Sequence, residues 1–274
     1  MRAFEYACPG SLADAVALLA DRGPQARVLA GGTDLLIDLR DRSRTPSLVV
    51  DIKRIPEVAP SIVRRGAALR ISARTTMTQV MADEDVRRTF PALAEAAAII
   101  GSIQIRNRAT LVGNQCNGSP AADTAPPLLV YGARLLVAGP GRQRSVTLDD
   151  FFVSSGVTRL APDELVTAIE LPWPPGAVGS AFARRTRRRG HDLASVTLAV
   201  AVSGEGTLRL AYGSLGPRPR LFESMPAEAP LDEWLAASQP SPTSMRASPD
   251  YRRAMLRLLA DRAVATARQR LAGA

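Results

Sequence analysis

The sequence predicts an α+β protein in three successive pieces, and three observations carry that expectation. Short apolar runs alternate with helical periodicity through the first 55 residues, and smaller strands and helices mix over roughly 56–172. After a proline-rich break come antiparallel strands and one long helix. A chain of 274 residues can bury a good core, as one large domain or two modest ones. Its 46% hydrophobic and 22% charged content is ordinary for a soluble globular chain, so the usual rules of core and surface apply.

The first piece reads strand, helix, strand, helix, strand. Ser11 can cap a helix to about Asp21, in which Leu12, Ala15, Val16, Leu18 and Leu19 share a face and Gly23-Pro24 ends the run. Residues 27–30 form a short strand, 34–40 a turn or two of helix, and Leu48-Val49-Val50-Asp51-Ile52 a buried strand. Gly31-Gly32 therefore lies between a strand and the start of a helix.

The second piece opens with strands at 61–64 and 68–73, followed by helices at 78–82, 85–89 and 91–99, the last started by Pro91. A polar glycine loop comes next, then a helix at 126–132 and strands at 133–138, 145–148 and 165–171. Pro172-Trp173-Pro174-Pro175-Gly176 is the best linker, which gives pieces of 1–55, 56–175 and 176–274. Beyond it, 181–187, 195–203 and 207–215 read as strands, the last two joined by Gly204-Glu205-Gly206. Six prolines over 216–245 imply loop, with a turn of helix at 231–236. Ser248-Pro249-Asp250 then starts a helix running to about Leu271. Its expected packing face is Met255, Leu258, Leu259, Arg262, Ala263, Thr266 and Ala267.

Composition excludes several functions. The net charge of +9 suggests nucleic acid, but Lys53 is the only lysine among 35 basic residues and the arginines are spread along the chain. That bias reads as a GC-rich coding habit. The one cluster, Arg184-Arg185-Thr186-Arg187-Arg188-Arg189, reads as a solvated or subunit-facing surface. No nucleic-acid partner is expected. Apolar stretches reach only about ten residues, too few to span a bilayer, and Glu5 and Asp14 break any signal-peptide core, so a cytoplasmic protein is expected. Cys8, Cys116 and the single His191 cannot assemble a zinc or iron–sulfur site, so no metal is expected on this chain. Cys116 reads as a small loop filler. His191 beside Asp192 reads as structural, because neighbours on a strand face opposite ways.

Two segments carry chemistry. Ala30-Gly31-Gly32-Thr33-Asp34-Leu35-Leu36 follows Val28-Leu29; its glycines can expose consecutive N–H donors to an anion, and the helix behind adds its positive end. Its spacing is not the G-x-G-x-x-G fingerprint, and alone it serves equally as a turn capping a helix through Thr33 or Asp34. The second segment is Gly113-Asn114-Gln115-Cys116-Asn117-Gly118-Ser119-Pro120-Ala121-Ala122-Asp123, reached through Ala109-Thr110-Leu111-Val112. Asn114, Ser119 and Asp123 suit a polyol and ribose hydroxyls, though polar glycine–proline loops also cap helices without ligands.

As a pair, in this order and about eighty residues apart, the segments resemble the FAD-binding subunit of the molybdenum hydroxylases, the family of xanthine dehydrogenase and carbon monoxide dehydrogenase flavoproteins. The resemblance covers nearly the whole chain and is weakest over 217–245. It implies a two-subdomain FAD-binding fold of the vanillyl-alcohol-oxidase/PCMH type, followed by a small C-terminal α+β domain. It also implies an FAD site with Val28, Leu29, Ala30, Gly31, Gly32, Thr33, Asp34 and Leu35 as one wall. Ala109, Thr110, Gly113, Asn114, Ser119 and Asp123 make the other, with Ile105 nearby. Leu165 or Val166 lies against the isoalloxazine, and Arg184 or Ala183 stands where the family often has lysine. Val112 replaces the first of two family glycines.

The implied function is electron transfer through FAD, from an iron–sulfur subunit to an external acceptor. A large subunit carries molybdopterin and a small one the 2Fe-2S clusters. A solitary FAD oxidase or dehydrogenase, and a scaffold subunit with a decayed flavin site, stay open as alternatives.

Overall fold

The computed structural model describes residues 1–188, 190, 192–222, 224–244 and 246–273. It opens with β1 (Glu5–Ala7), α1 (Leu12–Arg22), β2 (Ala26–Leu29), α2 (Leu35–Asp41) and β3 (Leu48–Asp51). The strands form a parallel sheet in the order β1-β3-β2. Ser11 Oγ accepts the Asp14 N–H at 3.1 Å to start α1, and Gly23 ends it with a positive φ of 51°. β3 is buried throughout because it is the central strand. At its end the buried Asp51 accepts from Tyr6 Oη (2.5 Å) and the Lys53 N–H (2.9 Å), and pairs with Lys53 Nζ (2.6 Å). A parallel sheet binds ligands beyond the carboxyl ends of its strands, and β2 runs directly into Gly31-Gly32 there.

The middle of the chain holds β4 (Ile62–Arg65), β5 (Ala68–Ser72), α3 (Met77–Ala82), α4 (Glu84–Thr89) and α5 (Pro91–Ala98). Then come α6 (Ile103–Arg106), α7 (Leu111–Cys116), α8 (Ala125–Val130), β6 (Arg134–Gly139) and β7 (Arg142–Thr147). α9 (Leu148–Phe151), β8 (Phe152–Ser154), β9 (Val157–Thr158) and β10 (Leu165–Pro172) complete it. The antiparallel sheet β4-β5-β10-β6-β7 and these helices share one apolar core with the first piece. Side-chain caps set the short helices: Thr76 and Gln79 form a reciprocal box on α3, while Asp83, Ser102, Thr110 and Thr147 each accept an N–H at the head of another.

Two helices correct the sequence reading. The second glycine segment does not begin as a loop, because Gly113 and Asn114 sit inside α7. Thr110 Oγ accepts the Gly113 N–H at 3.0 Å, and burial of Leu111 and Val112 favours the turn. α6 was not foreseen, although Ser102 caps it through the Ile105 N–H.

The last region is β11 (Val178–Arg185), β12 (Val196–Ser203), β13 (Thr207–Gly213), β14 (Arg220–Leu221), β15 (Met225–Pro226), α10 (Asp232–Ala236) and α11 (Pro249–Ala272). Its antiparallel sheet runs β11-β12-β13-β14, with β15 also on β13. One face packs on α11 and the other on α8. Pro172 still pairs with Ala68, and the Trp173 N–H donates to Ala67 O at 2.8 Å, so the proline-rich segment leaves the middle sheet only after Trp173.

The face of α11 is also corrected. Arg252, Leu256, Ala260, Ala263, Val264 and Ala267 are buried, whereas Leu258 and Arg262 are exposed. Close approach decides this orientation. A Cβ on Gly179 of β11 would come within 1.9 Å of Ala267 O, so the helix presents its alanines to the sheet.

Candidate functional site

The parallel sheet, α7 and the C-terminal sheet converge on a cleft of about 760 Å³. That lies in the upper part of the range of roughly 300–1,000 Å³ usual for small-molecule sites. Along one side run Val28 and residues 30–35; along the other run Ile105, Ala109, Thr110, Gly113, Asn114, Ser119 and Asp123. Leu165, Val166 and Arg184 complete it. Leu29 alone of the predicted residues does not line the cleft. Its Cδ1 lies 2.9 Å from where a Cβ on Gly32 would project, so its side chain packs under the glycine turn.

Backbone makes the first wall. Gly32 holds a positive φ of 79°, and a Cβ on Gly31 would meet Arg108 O at 2.0 Å, so the walls touch where only glycine fits. The N–H groups of residues 31–35 find no acceptor among the described residues. Asp34 occupies the cap position of α2 without accepting a hydrogen bond, which removes the capping role open to it in the sequence. Burial, reinforced by the neighbouring Asp38, raises the Asp34 carboxyl above its ordinary range, and Arg44 opposes this. These donors beside the positive end of a short helix suit an anion.

Side chains make the second wall. Thr124 Oγ donates to Asn114 Oδ1 at 2.7 Å, and Gln115 Nε2 donates to both Thr124 Oγ (2.7 Å) and Asn114 Oδ1 (3.2 Å). Asn114 thus spends its oxygen inside the protein and keeps its NH₂ donors. Ser119 Oγ accepts the Ala121 N–H, and Gly118, at φ 63°, packs under the β8–β9 turn at Gly156. Burial pushes the Cys116 thiol up to about 12, an inert filler.

Two buried carboxylates beside the cleft differ in kind. Arg144 holds Glu164 through two bonds of 2.8 and 2.7 Å, and the Ala161 N–H adds a third; the Arg144 bonds pull its carboxyl down to about 2. Asp123 receives one bond, from Arg184 Nη1 to Oδ2 at 3.0 Å, while its buried Oδ1 has no partner among the described residues. Burial pushes the Asp123 carboxyl up to about 6, with the Arg184 charge pulling the other way. Arg184 Nη2 also donates to Asp192 O at 2.6 Å. Arg184 therefore braces the second wall from the C-terminal sheet. His191 and Arg189 lie outside the described residues.

Sequence reasoning missed the β8–β9 hairpin, Ile99, Ile100 and Gly101, and Arg27, Arg44 and Leu193, all of which line the cleft. Ser155-Gly156 between Val153-Ser154 and Val157-Thr158, two β-branched residues each followed by a hydroxyl residue, was the available signal for the hairpin, whose Gly156 has φ 73°.

The residues present fit FAD. A glycine turn offers free N–H donors, the opposite wall offers amide and hydroxyl groups, and Asp123 keeps one buried acceptor. Fold and cleft define an FAD-binding flavoprotein of the PCMH type. The family described as the FAD binding domain in molybdopterin dehydrogenase matches residues 2–174 of this chain. The chain is 38% identical over 219 residues to the xanthine dehydrogenase FAD-binding subunit of Escherichia coli O157:H7, covering 78% of this chain and 75% of that one. It is 32% identical over 285 residues to the carbon monoxide dehydrogenase medium chain of Hydrogenophaga pseudoflava, with 98% of each covered. The solved structure of carbon monoxide dehydrogenase from that organism matches with a TM-score of 0.90 and 31% identity, again over 98% of each chain. The chain belongs to the FAD-binding subunits of the molybdenum hydroxylase family, and is an oxidoreductase subunit with FAD as its cofactor.

Proposed function

We propose that this chain is the electron-transfer flavoprotein of a multi-subunit molybdenum hydroxylase, passing electrons from an iron–sulfur subunit through FAD to an external acceptor. The large partner carries molybdopterin and the small one the 2Fe-2S clusters. The observation that carries this reading is the convergence of both predicted segments on one cleft. Its relatives named as xanthine and carbon monoxide dehydrogenase subunits support it, as does a sequence with only Cys8 and Cys116 to offer a cluster.

Bound FAD supplies a centre that takes up and releases electrons. The N–H groups of residues 31–35 hold its diphosphate. Thr110, the Asn114 amide and Ser119 would take the polyol and ribose hydroxyls, with Asp123 beside them in the same wall. Leu165 and Val166 cover the ring and exclude water. Arg184, which lines the same cleft, would set positive charge beside it. Residues 1–55 and 56–175 form the cofactor-binding part and 176–274 the buttress behind it. The compartment we assign to this work is the cytoplasm; among the described residues no helix is long and apolar enough to cross a membrane.

The test is direct. Purified protein should be yellow and release FAD on denaturation, and tagged protein from its native host should bring down two further subunits, one of them rich in cysteine. Colourless protein that ignores micromolar FAD would overturn the site. A lone flavoprotein turning over a substrate would overturn the division of labour.

A further inference from the structure

Alternation along the C-terminal strands sorts their side chains onto two faces. Val196, Leu198, Val200 and Val202 join the core under α11, while Ala199, Ala201 and Ala211 join the core shared with α8. At the end nearest Asp123, this second face becomes polar. Arg184, Thr197 and Gly213 form a cross-strand row, and the row abuts the second wall. A Cβ on Gly213 would come within 2.5 Å of Thr197 Oγ and 3.2 Å of Pro120 O. The Ser214 N–H donates to Pro120 O at 2.7 Å from a left-handed φ of 64°. Ser195, just before β12, donates its N–H to Arg185 O at 2.7 Å.

Four buried oxygens here have no hydrogen-bond partner among the described residues: Asp123 Oδ1, Ser195 Oγ, Thr197 Oγ and Ser214 Oγ. Each such group costs about 1–3 kcal/mol if left dry. Alanine or valine would fill the space without that penalty. Buried polar groups gathered in one place are characteristically joined by ordered water. Only Asp123 among the four also lines the cleft.

We infer that Ser195, Thr197 and Ser214 hold a buried water site behind Asp123, which makes Asp123 the proton-exchanging group of the cofactor cleft. The inference rests on the FAD reading above. Reduction of a flavin takes up protons with electrons, and the electrons come from the established redox reaction. Asp123 in its acid form gives up one proton and becomes a carboxylate, whose charge Arg184 balances from 3.0 Å. Bulk solvent then reprotonates Asp123 through the held water, which takes up one proton as it passes one on and so stays neutral. Among the described residues Arg184 of β11 is the charged group facing this carboxylate; β12 and the residue after β13 present hydroxyls. A carboxyl raised to about 6 by burial has both forms available near neutral pH.

The test follows the carboxylic C=O infrared band of Asp123, assigned by its loss in D123N, against pH in the chain itself. Removing hydroxyls that support the ionised form should raise the Asp123 midpoint in S195A/T197V by roughly a pH unit. T197S, which keeps the hydroxyl, should titrate as wild type. An unchanged midpoint in S195A/T197V would overturn the water site. In the FAD-loaded complex, the flavin midpoint potential plotted against pH should bend where Asp123 titrates, and the bend should vanish in D123N. A bend that persists in D123N at full FAD content would overturn the proton role. FAD content per chain is read separately from absorbance. Colourless protein with the expected infrared titration would sink the flavin assignment, and the proton exchange with it, but not the water site.

Discussion

The two walls of the cleft solve the same problem with different materials. The first, residues 31–35, is almost entirely backbone: its donors are N–H groups, and no side chain in it makes a hydrogen bond among the described residues. The second is a side-chain lattice in which Thr110, Asn114, Gln115, Ser119 and Thr124 are tied to one another or to nearby backbone. Arg184 braces it from a strand sixty-one residues further on. A backbone wall depends on what is missing, above all a Cβ at Gly31. A side-chain wall depends on what is present, and on the C-terminal sheet behind it.

The sharpest way to break the comparison is Gly31→Ala. The added Cβ would meet Arg108 O at 2.0 Å, backbone against backbone, so the walls must separate. A cost at or above the upper end of about 1–3 kcal/mol is expected, with loss of bound FAD. Gly10→Ala, which meets nothing within 4 Å, is the control. Denaturant midpoints and flavin content report both; a G31A protein with wild-type values would show that the contact yields cheaply.

The second effect is a pH dependence centred on Asp123 of the side-chain wall. Asp123 has a folded pKa near 6, above the unfolded value near 3.8. The folded state therefore holds its proton more tightly, and Asp123 favours folding fully at pH below the unfolded value. That contribution is lost as pH rises through the folded value. For the cofactor-free chain the loss should be on the order of 2–3 kcal/mol between about pH 4 and 6. Urea unfolding of wild type and D123N over this range should show the difference between them changing with pH; parallel profiles would contradict it.

A smaller effect sharpens the contrast within the second wall. Thr124→Val keeps the shape but strips a hydroxyl from the Asn114–Gln115 network, leaving Gln115 Nε2 and Asn114 Oδ1 only their 3.2 Å bond to each other. A loss of about 1–3 kcal/mol is expected, with weaker FAD retention. Retention unaltered in a destabilised T124V would show that Asn114 does not need its anchor.

Local signals made much of this legible. Ser11 announces α1, Ser248-Pro249 announces α11, and Gly31-Gly32 marks the turn after β2, because caps and glycine turns are written in neighbouring residues. α7 was misread because its glycine and asparagine look like loop residues, while Thr110 capping and the burial of Leu111 and Val112 decide otherwise. The α11 face was misread because apolar content pointed to Leu258, whereas close packing over Gly179 selects small residues. The Arg184–Asp123 bond could not be read at all. Nothing near either residue encodes a partner sixty-one positions away, and only the docking of the C-terminal sheet brings them together.

That bond also has a consequence in time. A ribosome makes the chain from its first residue, so both glycine segments emerge well before β11 and β12 exist to brace Asp123. During synthesis the backbone wall can close as soon as its own sheet forms, but the side-chain wall waits for strands written later. A complete second wall thus comes late in the birth of the protein, and a truncated chain released before β12 would carry both segments without the brace that holds the second in place.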